Sequence, residues 1–353
     1  MLTTTSIKEV ARHAGVSIGT VSNVLNRPDL VAASTRKRVQ AAIEQLGYVR
    51  NDSARQLRAG RSRMIAVVVL DVANPFFTDV VRGAERAAEQ HGVSVVVCNS
   101  SEDAGREQRH LDLLEEQRVR GVLITPVDDS PGSRMERLIS RGTPVVLVDR
   151  GSGWRNRCSV AVDDVLGGRL AGAHVVEQGH THVAFAGGPF STPQVSDRHA
   201  GYKDVLPDHV TLTVVATASL SVASGRAAAA EIADMADRPT AVFCANDLLA
   251  LGVLQEMTHR GIRVPQDVAI VGYDDIEFAA AAAVPLSSVR QPREQLGRTA
   301  AELLIEETTE GADHEHRHVV FQPELIVRAS SERPRKSPRP RRRAAVDGPG
   351  DHA

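Results

Sequence analysis

Residues 6–26 read SIKEVARHAGVSIGTVSNVLN and have the pattern of a helix–turn–helix. Ser6 is a good N-cap and Glu9 stands three residues later, which is the capping-box pattern. Apolar residues recur at helical spacing until Gly15, which suits a turn that needs a positive φ. Ser17 can cap a second short helix. The segment predicts a module that places its second helix against DNA. A helical hairpin without a DNA role is the alternative that this segment alone leaves open.

The second helix leaves short polar side chains on or near its outer face, where they can reach base edges or phosphates. Together with the two caps, the predicted DNA-binding set of this segment is Ser6, Ser17, Ile18, Gly19, Thr20, Ser22, Asn23 and Asn26.

Charge is distributed unevenly along the 353 residues, although the whole chain carries a formal charge of only −2. Residues 1–63 hold 11 Lys/Arg against 4 Asp/Glu, and residues 333–353 hold 7 against 2. The basic N-terminal part suits a polyanion. Residues 333–353 are rich in Pro and Arg and are predicted to be a disordered basic tail with weak, sequence-independent affinity for phosphates.

From Met64 onward, short β-branched apolar runs alternate with amphipathic helices. Such runs are typical of parallel strands that are covered on both faces. The predicted strands are Met64–Leu70, Val93–Cys98, Gly121–Thr125, Thr143–Val148, Val183–Ala186, Thr213–Ala216, Ala241–Ala245, Val268–Val271 and Glu324–Val327, and the helices between the first four are Phe76–His91, Ala104–Arg118 and Ser133–Arg141. The pattern predicts an α/β core of two doubly wound lobes, with a ligand site at the carboxyl ends of the strands.

The predicted organisation has four parts. They are a headpiece (residues 1–50), a hinge (51–63), a core (64–332) and the tail (333–353). Within the core, lobe 1 is expected at about 64–162 and 291–322, and lobe 2 at about 163–290 and 323–332. The expected crossovers between the lobes are Asp163–Asp164, Ser288–Gln291 and Gln322–Pro323.

Several classes of protein and site are disfavoured. The three cysteines, Cys98, Cys158 and Cys244, are far apart, which argues against a zinc or disulfide framework and suits a reducing compartment. No signal peptide or membrane-length apolar run is found, so a cytoplasmic protein is expected. The absence of P-loop, GxGxxG, GxSxG and HExxH motifs disfavours an enzyme. The alternating residues His314, His316 and His318 are interpreted as a solvated loop, and neither a metal nor a cofactor is expected.

The chain resembles the LacI/GalR family of transcriptional regulators over about residues 6–331. The resemblance depends on a combination of motifs. They are VARHAGVSIGTVSNVLN (10–26), NDSARQLRAGRS (51–62), NPFF (74–77), RHAGY (198–202), PTAVFCANDLLALGV (239–253) and VPQDVAIVGYDD (264–275). It implies a three-helix headpiece, a hinge helix and a core like a periplasmic sugar-binding protein, assembled as a homodimer or a dimer of dimers.

The hinge is too short to be a stable helix alone in water. The resemblance implies that paired hinge helices enter the minor groove, where Leu57 wedges between base pairs and kinks the duplex. The hinge residues predicted to contact DNA are Asn51, Ala54, Arg55, Leu57 and Arg58, and Arg61 and Arg63 lie close enough to bind adjacent phosphates. A flexible linker with an incidental leucine is the alternative.

Within the recognition helix, the resemblance places Ile18, Gly19 and Asn23 at the base-reading positions. Gly19 has no side chain and can specify nothing by direct hydrogen bonding, whereas Asn23 can bond adenine or a phosphate. A twofold dimer presents two identical headpieces, so the operator, the partner duplex, is expected to be a pseudo-palindrome.

The predicted effector cleft collects polar and aromatic residues at or beyond the carboxyl ends of strands. They are Asn74, Phe76, Phe77, Asp149, Arg150, Arg198, Asn246 and Asp274, with weaker matches at Gln194 and Leu220. Carboxylates, an amide, an arginine and an aromatic face suit a polyol. Family members that bind purines tend to carry aromatics where this chain has Arg150 and Leu220, so a sugar is favoured. The alternative for Asn74, Asp149 and Asp274 is a capping or turn role.

The sequence therefore predicts a repressor whose operator affinity is switched by a small molecule, first of all a sugar. The alternatives within the same class are a nucleobase effector or a protein co-regulator. A non-regulatory sugar-binding protein and a sugar-metabolising enzyme are less favoured.

Overall fold

The computed structural model describes residues 5–48, 62–127, 133–151 and 156–332. The chain divides into two compact units between Arg61 and Ser62. The hinge predictions for Asn51, Ala54, Arg55, Leu57, Arg58 and Arg61, and those for the tail, lie outside the described residues. Within the described ranges, a membrane-spanning helix is not found.

The first unit contains three helices, α1 (Ile7–Ala14), α2 (Ile18–Asn26) and α3 (Ala33–Leu46), with a 3-10 turn at Pro28–Leu30. Both halves of the predicted capping box are present, since Ser6 and Glu9 exchange hydrogen bonds at the start of α1. Gly15 ends that helix with φ 63°, in the left-handed region that the sequence predicted. The unit has a small apolar core made of Val10, Ala11, Ala14, Val21, Val24, Val39 and Ala42.

The second unit alternates strands and helices. Its strands are β1 (Met64–Val69), β2 (Ser94–Asn99), β3 (Val122–Ile124), β4 (Val145–Val148), β5 (Ser159–Val162), β6 (His182–Gly187), β7 (Thr211–Ala216), β8 (Ala241–Cys244), β9 (Ala269–Asp274), β10 (Ser287–Arg290), β11 (His318–Phe321) and β12 (Glu324–Ile326). Its helices are α4 (Pro75–Gln90), α5 (Ala104–Glu116), α6 (Ser133–Ser140), α7 (Asp164–Glu177), α8 (Pro193–Asp204), α9 (Val222–Asp234), α10 (Asp247–His259), α11 (Glu277–Ala281) and α12 (Arg293–Glu310).

The strands form two six-stranded sheets, which define two lobes. The first lobe has the order β11-β5-β4-β3-β1-β2, and the second has the order β12-β10-β9-β8-β6-β7. All pairings are parallel except that of β10 with β12. Most central strands are fully buried, as expected for sheets covered by helices on both faces. The predicted α/β fold class with two parallel-sheet lobes is confirmed.

Three strands, β5, β10 and β11, were not predicted. β10 occupies residues that were assigned to a crossover, and it pairs with β9 as far as Arg290, so the chain leaves the second lobe only after that residue. Its two serines are fully buried because their hydroxyls have partners within the fold: Ser288 donates to Asp247 at 2.7 Å and Ser287 to the Arg328 carbonyl at 3.0 Å. The interpretation of the polar stretch around His318 as a loop was wrong at its end, because β11 begins there and pairs with β5.

Candidate functional site

The candidate DNA-binding surface of the first unit is the exposed side of α2. Ile18, Gly19 and Asn23 are all exposed there, and Ile18 is 45% exposed although it is apolar. Ser17 caps the helix through a hydrogen bond from the Thr20 backbone N–H at 3.1 Å. An exposed apolar residue at the start of a short helix is available to contact the methyl groups of thymine.

Other predicted DNA-contacting side chains have partners within the headpiece. Ser6 is part of the capping box, and the Thr20 hydroxyl lies 2.9 Å from the hydroxyl of Ser17. The Asn26 amide donates to the Ser22 carbonyl at 2.8 Å. The bonds of Thr20 and Asn26 lie at the start and the end of α2, so they hold the exposed face of that helix in one geometry.

A cavity of about 150 Å³ lies between the two lobes of the second unit. The first lobe contributes Leu70, Asp71, Asn74, Phe76, Phe77, Glu102, Val127 and Asp149, and the second contributes Pro189, Ser191, Thr192, Gln194, Arg198, Leu220, Asn246 and Asp274. Nine of the ten residues predicted for the effector cleft are therefore brought together in this lining.

Asp149 and Gln194 join the lobes across the cavity. The Gln194 side-chain amide on α8 donates to the Asp149 backbone oxygen at 2.6 Å and to its Oδ2 at 3.0 Å. Asp149 Oδ1 and Gln194 Oε1 are buried and have no hydrogen-bond partner in the described part of the chain. Because buried polar atoms nearly always have partners, these two oxygens mark places where a ligand can bind.

Arg198 is the central cation of the site, and it is only 4% exposed. Its Nε donates to Asp164 Oδ1 at 2.7 Å, and its Nη1 donates to the Ala245 carbonyl at 2.9 Å. Its guanidinium carbon lies 3.8 Å from the centre of the Tyr273 ring, which is cation–π geometry. Arg198 is therefore fixed by the protein, with one face on an aromatic ring.

Asp274 is the last residue of β9 and is held by residues near the crossover to the first lobe. Gln291 donates to Asp274 Oδ1 at 2.7 Å, and Arg293 donates to the backbone oxygens of both Asp274 and Asp275. Asp149 and Asp274 have backbone φ values of 57° and 103°, in a region that residues other than glycine rarely adopt. Such strain persists only where the surroundings enforce it, and it is concentrated at functional sites.

The amides predicted for the cleft also cap helices. Asn74 Oδ1 accepts from the Phe76 N–H at 3.0 Å, and Asn246 Oδ1 accepts from the Leu249 N–H at 2.9 Å. The remaining Asn246 amide group donates to the Leu220 carbonyl at 3.1 Å. The capping alternative is thus realised for Asn74, and the structure shows that Asn246 caps a helix as well.

The two phenylalanines lie edge to face. The rings of Phe76 and Phe77 are 5.0 Å apart at 82°, and the residues are only 3% and 6% exposed. Both belong to the apolar core of the first lobe and line the cavity from there.

The prediction for Arg150 needs correction, because this residue is not among those that line the cavity. It is buried, and its guanidinium donates to the Pro126 carbonyl at 3.3 Å. Sequence reasoning missed Asp71, Glu102, Ser191 and Thr192 among the polar lining residues. Asp71 lies two residues after the end of β1, so the rule used for Asp149 would have found it.

Burial dominates the electrostatics of the two cavity carboxyls. Desolvation, reinforced by nearby Asp164, raises the pKa of Asp149 to about 7 despite Arg198 and the Gln194 hydrogen bond. Desolvation also raises the pKa of Asp274 to about 6, with Arg198 and Gln291 opposing the rise. Both groups therefore titrate close to neutral pH, and a ligand that donates hydrogen bonds to them favours their charged forms.

We expect Asp149→Asn to make the protein more stable than the wild type at pH 8 but not at pH 4. Since the pKa of Asp149 is raised on folding, its favourable contribution is fully present below the unfolded value near 4 and is lost as the pH rises through about 7. Urea unfolding at both pH values measures the difference. Asp208→Asn, which removes an exposed carboxylate, is the control. An equal shift at both pH values would contradict the raised pKa.

A helix–turn–helix joined to a two-lobed α/β core with a polar cavity between the lobes defines a class of ligand-responsive DNA-binding regulators. Residues 6–51 match the family model described as bacterial regulatory proteins, lacI family, and residues 173–331 match the periplasmic binding protein-like domain. The chain belongs to the LacI family of transcriptional regulators.

Curated relatives support this membership over nearly the whole chain. The HTH-type transcriptional repressor PurR of Aliivibrio fischeri is 34% identical over 333 residues, covering 92% of this chain and 98% of that protein. The protein of the same name from Vibrio cholerae is 32% identical over 327 residues, covering 92% and 97%.

Solved structures share the fold. A lac repressor dimer bound to operator and the anti-inducer ONPF has a TM-score of 0.80 at 28% identity, covering 93% of this chain and 99% of that one. A complex of the regulator CelR with cellobiose has a TM-score of 0.68 at 33% identity, covering 93% and 100%. A LacI-family regulator from Enterococcus faecium with bound ribose has a TM-score of 0.69 at 29% identity, covering 76% and 98%.

Proposed function

We propose that this LacI-family protein is a repressor whose operator affinity is switched by a small polar ligand, a single-ring sugar, bound between the lobes. The headpiece and the hinge are proposed to read the operator as a homodimer, with Ile18 and Asn23 in the major groove and Leu57 in the minor groove. The named relatives, which are transcriptional repressors, support the direction of regulation.

The observation that carries this proposal is the position of the Asp149 carboxylate. One of its oxygens bonds to Gln194 of the other lobe, and the other oxygen is buried without a protein partner among the described residues. A donor group of a ligand at this point satisfies the free oxygen and strengthens a contact that already joins the lobes. Ligand binding and lobe closure are coupled in this way.

The size and charge of the cavity favour a single-ring polyol. Its volume of about 150 Å³ matches that of an engineered cavity that admits benzene, so one six-membered ring fits and a disaccharide requires opening. Four carboxylates line it, at Asp71, Glu102, Asp149 and Asp274, against one arginine that is already paired with Asp164. Such an excess of acceptors suits the hydroxyl donors of a sugar.

A nucleobase is the second candidate, and the Phe76 ring in the lining favours it. A planar heterocycle can stack on an aromatic face, and its N–H groups can donate to Asp149 while a ring nitrogen or carbonyl accepts from the protein.

The switch is proposed to operate by population shift. A ligand that binds one arrangement of the lobes better than the other changes operator affinity by its differential affinity for the two arrangements. Typical coupling is about 1–3 kcal/mol, which corresponds to about a 5–150-fold change in operator affinity.

A ligand screen followed by a DNA-binding measurement tests the proposal. The full chain is heated with ribose, glucose, cellobiose, adenine or hypoxanthine, and a ligand that binds only the folded state stabilises it by about 2.7 kcal/mol at 100 times its Kd. Fluorescence anisotropy with an operator selected from random DNA then measures affinity with and without that ligand. We expect a monosaccharide to raise the melting temperature and to change operator affinity.

Other outcomes of this screen have defined meanings. Stabilisation by a nucleobase alone selects the second candidate, and stabilisation by cellobiose alone contradicts the size argument. A ligand that raises the melting temperature but leaves operator affinity unchanged contradicts the switch. Asp149→Asn should weaken binding of the stabilising ligand, whereas Asp208→Asn should not.

A further inference from the structure

Four metal-ligating side chains, one at residue 158 and three within residues 307–316, meet at one point in the first lobe. Cys158, Glu307, His314 and His316 each place one ligand atom within 4.8 Å of all the others. Cys158 immediately precedes β5, Glu307 lies in the last turn of α12, and the two histidines lie just before β11. This group is called the Cys158 cluster below.

We propose that the Cys158 cluster binds one divalent transition-metal ion of the zinc type. Thiolate, imidazole and carboxylate are the groups that zinc binds in proteins, and four of them complete its tetrahedral coordination. With Zn–S near 2.3 Å and Zn–N near 2.0 Å, the S and N atoms of such a site lie about 3.5 Å apart. Cys158 Sγ lies 3.2 Å from His314 Nε2 and 3.9 Å from His316 Nδ1, which brackets that value.

The surroundings prepare His314 to be a ligand. Its Nδ1 lies 2.7 Å from Glu310 Oε2, and the histidine side chain is only 2% exposed. Donation of the Nδ1 proton to this carboxylate leaves the Nε2 lone pair directed at the cluster, which is the usual second contact of a metal-binding histidine. Glu310 is therefore a positioning residue.

Glu307 provides an independent observation that points to a cation. Its Oε2 is buried and has no hydrogen-bond partner among the described residues. A buried carboxylate oxygen without a donor is costly, and a metal ion at the centre of the cluster satisfies it.

The charges of the cluster also fit a dication. The thiolate of Cys158 and the carboxylate of Glu307 together neutralise the charge of one Zn²⁺ ion, and the Arg317 backbone N–H donates to Cys158 Sγ at 3.3 Å. The nearby guanidinium groups pair with carboxylates outside the cluster, Arg157 with Glu136 and Arg317 with Glu306. Because these guanidinium groups pair outside the cluster, a metal ion can be the cation at its centre.

The cluster is separate from the effector cavity. Cys158 lies at the amino end of β5, whereas Asp149 follows the carboxyl end of the parallel neighbour β4. The bound metal joins the end of α12 to β5 and to the start of β11, which is an edge strand. We therefore expect it to stabilise the first lobe without blocking the ligand site.

The sequence pattern predicts no metal here and groups His318 with His314 and His316, but the structure places His318 apart from them. His318 turns away from the cluster, and its Nδ1 bonds to the Ser159 hydroxyl at 2.8 Å. That makes His318 a matched control, because it lies two residues from His316 and does not join the set of ligands.

Cobalt titration of the full chain, freed of metal with a chelator, tests the proposal. We expect one Co²⁺ per chain, with a thiolate-to-metal charge-transfer band and the strong visible bands of a tetrahedral ion, both displaced by Zn²⁺. Cys158→Ser should abolish the charge-transfer band and His316→Ala should weaken binding, while His318→Ala and Cys98→Ser should retain both signals. Glu310→Gln should lower metal affinity about 10–100-fold.

Three outcomes would overturn the proposal. They are a lack of saturable binding by wild type, binding without the thiolate band, and an unchanged band in Cys158→Ser. Circular dichroism checks that each variant is folded, and Glu307→Gln, which keeps the size of the side chain, provides a second test. Zn²⁺ should raise the melting temperature of wild type but not of Cys158→Ser, since a metal that binds only the folded state stabilises it.

Discussion

Arg198→Ala is expected to abolish the ligand response and to lower the free energy of unfolding by about 3–5 kcal/mol. The guanidinium holds Asp164 at 2.7 Å, and both side chains are more than nine-tenths buried. Its removal leaves the Asp164 carboxylate and the Ala245 carbonyl without their donor, close to the carboxyls of Asp149 and Asp274. Breaking a buried pair by removing one partner is costly because the remaining charge is uncompensated. Urea unfolding and a ligand titration measure the two effects.

The matched control for this prediction is Arg169→Ala. Arg169 also joins α7 to α8, since its Nε donates to Asp204 at 2.9 Å, but those side chains are 49% and 57% exposed. An exposed pair of this kind contributes less than about 1 kcal/mol. Equal destabilisation by the two substitutions would show that Arg198 acts only as a helix–helix contact.

A second variant distinguishes two causes of the expected loss of stability in Arg198→Ala, the uncompensated charge of Asp164 and the lost packing of the arginine side chain. Adding Asp164→Asn to Arg198→Ala removes the orphaned charge, so the double variant should recover part of the lost stability but not the ligand response. If stability does not recover, the loss in the single variant comes from the missing side-chain volume and the Tyr273 contact.

The parts of the fold that sequence reasoning predicted correctly are those with local causes. Ser6, Glu9 and Gly15 lie within ten residues of one another, and their hydrogen bonds and φ values follow from that spacing alone. The apolar strands β1 and β8 are recognisable because their residues are buried on both faces.

Two of the three strands that were missed, β10 and β11, depend on distant partners. β11 is a four-residue edge strand with alternating burial, preceded by histidines, and it exists because His318 pairs with Ser159 far back in the chain. β10 contains two serines whose burial is possible only because Asp247 and Arg328 provide partners. No local pattern contains that information.

The candidate site likewise contains residues that a local sequence pattern predicts and residues whose role depends on distant contacts. Asp149 and Asp274 were predicted because polar residues just after parallel strands meet at one edge of a sheet. Arg150 follows the same rule by position, yet its side chain reaches the Pro126 carbonyl. The sequence places a residue in the right loop, but the backbone conformation at that residue decides where its side chain points. The Cys158 cluster escaped notice because Cys158 lies more than 140 residues before the other three members.

Gly168→Ala is expected to destabilise the second lobe near the upper end of the usual range of about 1–3 kcal/mol for overpacking. Gly168 lies on α7, and a Cβ built there overlaps the carbonyl oxygen of Arg198 on α8. Gly201 on α8 makes the reciprocal approach to the Val165 carbonyl oxygen, so the two helices touch through their backbones. A backbone atom cannot rotate away as a side chain can, and the helices must separate.

Separation of α7 and α8 also changes the ligand site. Asp164 lies on α7 and Arg198 on α8, so the ion pair at 2.7 Å depends on this spacing, and a displacement of α8 also moves Gln194 relative to Asp149. Gly168→Ala should therefore weaken ligand binding although the added methyl group does not line the cavity. Gly151→Ala is the control, because Gly151 has open space and no positive φ, and its change in stability should stay within about 0.5 kcal/mol. If Gly168→Ala lowers stability but keeps full ligand affinity, the helix spacing does not position Arg198.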